Sequence, residues 1–197
     1  MSRQPRMNLT KIQALVVDSD EFSVSILSQM LRGFGLTDLV VAPTGDGAKT
    51  LMEKRAFDLL FCEMLLADMP GADLVRWIRA HDSKKVKYLP ILMLTGHTQM
   101  SKVAASRDSG ANIVVRKPMA ATVLYDRLVW SINSPRVFVE TAAYVGPDRR
   151  FKFSGLPDGV GRRETDLSGD IGEAMEPNMS QDEIDSLMKP AKMMVFE

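Results

Sequence analysis

The chain has little of three things: cysteine, histidine and net charge. Its single cysteine, Cys62, lies inside an apolar run, which excludes an intrachain disulfide framework and fits a reducing compartment. Its two histidines, His81 and His97, have no cysteine or acid at ligand spacing, so no transition-metal site is expected. The 25 basic and 25 acidic side chains cancel, and the total argues for neither a polyanion partner nor a membrane surface. No stretch approaches the roughly 18 apolar residues of a membrane span. The opening MSRQPRMNLT is not followed by the apolar region of a secretory signal. The expectation is a soluble cytoplasmic protein.

What is present is a repeating pattern. IQALVVD (12–18), FDLLFCE (57–63) and YLPILMLTG (88–96) are short apolar runs that stop at polar or turn residues and read as buried strands. LVVA (39–42) and NIVV (112–115) are weaker strands. Helical spacing occupies the stretches between, as in Leu27, Met30, Leu31 and Phe34 beside Gly33 and Gly35, and in Val123, Leu124, Leu128, Val129 and Ile132 at the end. The expected fold class is α/β. A βα unit repeated five times over 11–134 gives a doubly wound, five-stranded parallel sheet of flavodoxin-like type, with chemistry at the carboxyl ends of the strands.

Beyond Ser134-Pro135 the composition changes. Residues 135–178 are rich in glycine and arginine, lack periodicity and read as a flexible, largely disordered extension. GPDRR (146–150) and GVGRR (159–163) echo each other within it. The charge balance turns from +3 over 135–163 to −7 over 164–197. Over 179–190 the pattern returns to a short helix. Ser180 suits the N-cap and Glu183 the capping box, Asp182 and Glu183 favour the positive helix start, and Ile184, Leu187 and Met188 make an apolar face.

With the first and third strands adjacent, Asp18, Ser19 and Asp20 come near Glu63. Thr95 ends strand four, and Lys117 in the RKPM turn can point into the same crevice. These residues, in this order and spacing, resemble the receiver domain of two-component response regulators, the chemotaxis type included. The matching features are VVDSD (16–20), Glu63 followed by MPG, LTG (94–96) and KP (117–118). The resemblance implies a phosphorylated acid after strand three, two acids that hold magnesium, a Thr that binds the phosphoryl group and a lysine that neutralises it. By position these roles fall on Glu63, on Asp18 and Ser19, on Thr95 and on Lys117.

Two positions depart from that pattern: Glu63 stands for the phosphoacceptor aspartate, and Ser19 for the second metal-binding acid. Magnesium needs several oxygen ligands at short distances, so at most a weak site at Asp18 is expected, with no firm cofactor. Glutamate reaches one methylene further into the pocket, where it can pair with Lys117 and accept a hydrogen bond from Thr95. The aromatic residue that the family's switch commonly uses in strand five is Val114 here. The expectation is a pseudo-receiver, active without phosphorylation. Its pocket either mimics the phosphorylated state or has decayed into a scaffold, and a conventional phosphorylated regulator is the alternative.

SQDEIDSLM (180–188) resembles the docking peptide of the flagellar switch protein FliM and the acidic helix of the phosphatase CheZ, both of which bind a chemotaxis receiver. Ser180, Gln181, Asp182, Glu183, Ile184, Asp185, Leu187 and Met188 are therefore candidate partner contacts, the partner being a chemotaxis receiver or a flagellar switch component. A helix folded back on its own domain is the other reading. Arg149, Arg150, Arg162 and Arg163 are candidate anion contacts, with cyclic di-GMP as the ligand or a solvated basic linker as the alternative. No helix-turn-helix follows, so DNA is not an expected partner. The chain is not expected to be an enzyme; Gln181 is the lone candidate for a phosphatase-like amide.

Overall fold

The computed structural model describes residues 9–133, 138–141, 144–148 and 178–188. Strands β1 (Gln13–Val17), β2 (Asp38–Ala42), β3 (Leu59–Glu63), β4 (Ile91–Thr95) and β5 (Ile113–Arg116) form a parallel sheet in the order β2-β1-β3-β4-β5. The doubly wound α/β fold class expected from the sequence is the one observed. Helices α1 (Glu21–Gly33), α2 (Gly45–Lys54), α3 (Gly71–Ala80), α5 (Met100–Asp108) and α6 (Ala121–Asn133) follow the strands. A four-residue helix, α4 (Lys84–Lys87), interrupts the chain before β4, which the simple five-fold repeat did not include.

Alternation along the strands divides the core in two. Leu15, Val17, Leu60, Cys62, Ile91, Met93 and Val114 face one side with Met52 of α2, Val75 and Ile78 of α3 and Val103 of α5. Val16, Phe61, Leu92, Leu94 and Val115 face the other, against Leu27 and Leu31 of α1 and Leu124 and Leu128 of α6. Each such side chain contributes roughly 1.5–3 kcal/mol by leaving water. A sheet covered on both faces needs continuous apolar strands, which is why the runs are uninterrupted up to Asp18 and Glu63.

Local chemistry places the helix starts at the rim. Asp20 caps α1, its carboxylate accepting from Phe22 N at 3.0 Å and Ser23 Oγ at 2.9 Å. Those bonds, Ser23 first, hold it below the usual carboxylate range. Asp68 accepts from the amides of Gly45 and Asp46 at the start of α2. Gly71 opens α3 where a Cβ would collide with the Glu63 carbonyl, Met93 Cε and Cys62 Sγ, so glycine alone lets α3 approach the end of β3.

Opposite the rim, a buried arginine ties three elements together. Arg79 donates to Lys87 O (2.6 Å), Leu89 O (2.8 Å), Gly110 O (3.0 Å) and Asn112 Oδ1 (2.9 Å). Burial lowers its pKa to about 9. Its guanidinium also lies 5.0 Å from the ring of Phe138. Phe138 belongs to an antiparallel hairpin, β6 (Phe138–Thr141) and β7 (Tyr144–Pro147), inside the stretch read as a flexible extension. The hairpin is pinned by the Tyr88 hydroxyl donating to Glu140, by Tyr88 against Phe138, and by close approach of Gly110 to Val145 and Gly146.

The last element, α7 (Gln181–Met188), lies across the β5 edge between α5 and α6 of its own domain. Ser180 and Glu183 form the expected capping box: Ser180 N and Oγ donate to Glu183 Oε2 at 2.7 and 2.8 Å, and Glu183 N donates to Ser180 Oγ at 3.3 Å. The Ser180 bonds, the backbone one first, lower the Glu183 pKa. Ile184 and Met188 are buried and Leu187 is half-buried against the same core, so the expected apolar face is the seated one.

Candidate functional site

Register alone brings the pocket together. Val17 pairs with Cys62, so Asp18 follows on beside Glu63; Glu63 pairs with Leu94, one residue before Thr95; and Thr95 pairs with Arg116, one residue before Lys117. The Lys117–Pro118 peptide is cis. Lys117 Nζ donates to Asp18 Oδ2 and to Glu63 Oε2, at 2.7 Å each. Burial works against the ammonium, but the hydrogen bonds to Asp18 and Glu63 outweigh it and raise the lysine above its ordinary value. Glu63 Oε1 accepts from Met64 N at 2.7 Å, and Asp18 Oδ1 accepts from Asp20 N at 2.9 Å. Cys62, directly behind, has its thiol pushed upward by burial and then by the Glu63 charge, so it stays neutral.

Asp18, Glu63, Thr95 and Lys117 are thus gathered as the sequence placed them, with two differences. Thr95 is fully buried and its Oγ1 accepts from His97 N at 2.9 Å; it does not donate to Glu63, as had been expected. The longer glutamate side chain instead turns one oxygen to the lysine and the other to its own next amide. Ser19 is exposed, and Asp20 is committed to capping α1, so neither joins the cluster. Val114 is completely buried and presents no aromatic ring to Thr95.

These donors do not fit a magnesium ion. Both Asp18 oxygens and both Glu63 oxygens already hold hydrogen bonds, and the ammonium stands between the two carboxylates. Among the described residues no group of three His, Cys, Asp or Glu could hold a metal. Beside this cluster an apolar cleft of about 310 Å³ runs along α1, lined by Phe22, Ile26, Met30, Pro118 and Met119.

Gln181, considered from sequence as a phosphatase-like amide, has its carboxamide bonded to the β5 backbone and to Asp185. Arg149, Arg150, Arg162 and Arg163 lie outside the described residues. Sequence reasoning missed Arg79, although it falls on the stripe Leu74, Val75, Ile78 and Arg79 that spacing marks as the buried side of α3. No helix among the described residues is long and apolar enough to cross a membrane.

The parallel sheet, its order and the acid–lysine cluster at the carboxyl ends of its strands define a receiver. The model of the response regulator receiver domain matches residues 14–129, and the chain belongs to that family. The chain is 30% identical to the chemotaxis protein CheY of Pseudomonas aeruginosa over 117 residues, 59% of this chain and 93% of that one. It is 28% identical to CheY-3 of Vibrio cholerae, across 59% of this chain and 88% of that protein. Among solved structures, a putative response regulator from Chloroflexus aurantiacus superposes with a TM-score of 0.58 at 32% identity, covering 61% of this chain and 97% of that one. CheY4 of Vibrio cholerae does so with a TM-score of 0.55 at 26% identity, covering 61% and 98%.

Proposed function

We propose that this receiver is a signalling and interaction module of chemotaxis or flagellar motor control that works without phosphorylation and reaches a partner protein through its SQDEIDSLM helix. The observation that carries the reading is Lys117, whose ammonium is held at 2.7 Å by both Asp18 and Glu63. The family's pattern reserves that lysine for a phosphoryl group; here a resident carboxylate has it. Glu63 thereby supplies a fixed negative charge at the phosphorylation position, and the exposed Ser19 offers no carboxylate for a metal. Val114 in place of an aromatic residue removes the partner through which Thr95 would signal. The likeness to CheY proteins supports the chemotaxis setting. In this reading the chain performs no reaction of its own.

Incubation with magnesium and a small-molecule phosphodonor, followed by intact mass measurement, tests the pocket. No phosphoryl adduct is expected; an adduct that Glu63→Gln abolishes would overturn the reading. For the docking half, the full chain should retain a purified chemotaxis receiver or flagellar switch protein, and Ile184→Asp should not.

A further inference from the structure

β5 is an edge strand, so backbone groups on its outer side meet no further strand among the described residues. Gln181 meets two of them. Arg116 N donates to its Oε1 at 2.7 Å, and its Nε2 donates to Val114 O at 3.3 Å. A side-chain carboxamide carries the same donor and acceptor as a peptide unit, so this one glutamine stands in for one residue of a sixth parallel strand. Asp185, one turn on, accepts from Gln181 Nε2 at 2.9 Å and pairs with Arg127 of α6. Ile184 and Met188 complete the core around Val103 and Val114. Upstream, Met179 N donates to Thr98 O at 2.7 Å, and Thr98 Oγ1 donates to Met179 O at 3.0 Å.

The seat is specific but imperfect. Gln99 Oε1 and Arg127 Nε are buried without hydrogen-bond partners. Gln99 bridges to Asn178 and Arg127 pairs with Asp185, so both belong to residues that the tail covers. Unseating the helix returns water to those atoms, which lowers the cost of opening. The 29 residues from 149 to 177 span roughly 100 Å when extended, about three times the width of a small domain. Chain length alone therefore does not hold α7 to its groove.

We infer that α7 is an exchangeable latch: seated in cis, it closes the groove between α5, β5 and α6, and the vacated groove takes the same helix from a second copy of the chain. This deepens the docking half of the proposed function, and the two fail separately, since the latch is read on this chain alone. Tethering gives the cis helix an effective concentration that an external copy must overcome.

The test uses the full chain and a labelled peptide of residues 178–188. Ile184→Asp cripples the tail and leaves the groove residues Thr98, Val103, Val114 and Arg127 unchanged. Fluorescence anisotropy should show the peptide binding this variant at least about tenfold more tightly than wild type, whose own helix competes. Asp185→Arg, which sets two cations together at Arg127, is a second tail variant and should behave alike. A peptide carrying Gln181→Glu should bind about tenfold more weakly, because a carboxylate oxygen then faces the Val114 carbonyl. Equal binding to wild type and both variants, no binding to any of them, or a Gln181→Glu peptide as good as the native one overturns the latch.

Discussion

Lys117 Nζ lies 2.7 Å from Glu63 Oε2, and at the same distance from Asp18 Oδ2. One cation therefore joins the ends of β1 and β3 from the loop after β5. Such charge-assisted bonds are short and worth roughly twice a neutral one. One ammonium against two carboxylates leaves the cluster with a formal charge of −1, and any incoming phosphoryl group competes with a carboxylate already in place.

Shortening that carboxylate and restoring the missing acid should reopen the chemistry. Ser19→Asp combined with Glu63→Asp is expected to form a phosphoryl adduct with magnesium and a small phosphodonor, detected by intact mass, where wild type forms none. Glu63→Asp alone should give less, because Asp18 then lacks a second loop carboxylate for the metal.

Removing the cation tests the same triad through stability. Lys117→Met should cost about 1–3 kcal/mol at pH 7 in urea unfolding, since it leaves Asp18 and Glu63 side by side without the cation they share. The folded pKa of the lysine is raised, so its contribution is fully present below the ordinary value of 10.5 and is lost as pH rises through the higher folded value. The gap between wild type and variant should be level from pH 7 to 10 and close above that range. Arg79, which burial lowers to about 9, is common to both proteins and cancels in the difference.

The strands and the pocket were legible for one reason: both follow from local pattern plus register. Apolar runs ending at Asp18, Glu63 and Thr95 mark the strands, and parallel pairing then aligns those ends without further information. The hairpin was not legible, because Phe138 and Tyr144 are ordered by Tyr88, Arg79 and Gly110, residues roughly 30 to 65 positions away in the chain. Glu63 was expected to meet Thr95; side-chain length decided otherwise by bringing its second oxygen to Met64 N. The capping box at Ser180 and Glu183 could be read directly, whereas the helix's seat in cis depends on a backbone edge that no side-chain pattern encodes.

Arg79 should be the costliest surface-distant position outside the apolar core. Arg79→Met leaves the carbonyls of Lys87, Leu89 and Gly110 without their donor, for an expected loss of about 3–5 kcal/mol in the unfolding free energy from urea denaturation. Arg79→Lys should recover only part of this, because a single ammonium cannot span three elements as the guanidinium fork does.

Two glycines should behave oppositely. Gly110 has φ +101, and a Cβ there meets the Val145 carbonyl, so Gly110→Ala should destabilise by about 1–3 kcal/mol and speed amide exchange in β6 and β7. Gly33, at the end of α1, has open space around it and no positive φ; Gly33→Ala should be neutral or stabilising by up to about 1 kcal/mol. Thermal unfolding of the two variants separates these outcomes.

The hairpin is fixed beside Gly110 and the tail helix beside Arg116, at opposite ends of β5. Both attachments are non-covalent, and the chain between them is continuous. A single cut between Asp148 and Asn178 would leave every contact of α7 intact yet change its seating from a unimolecular to a bimolecular equilibrium. Occupancy of the groove would then depend on dilution, as it does not in the uncut chain.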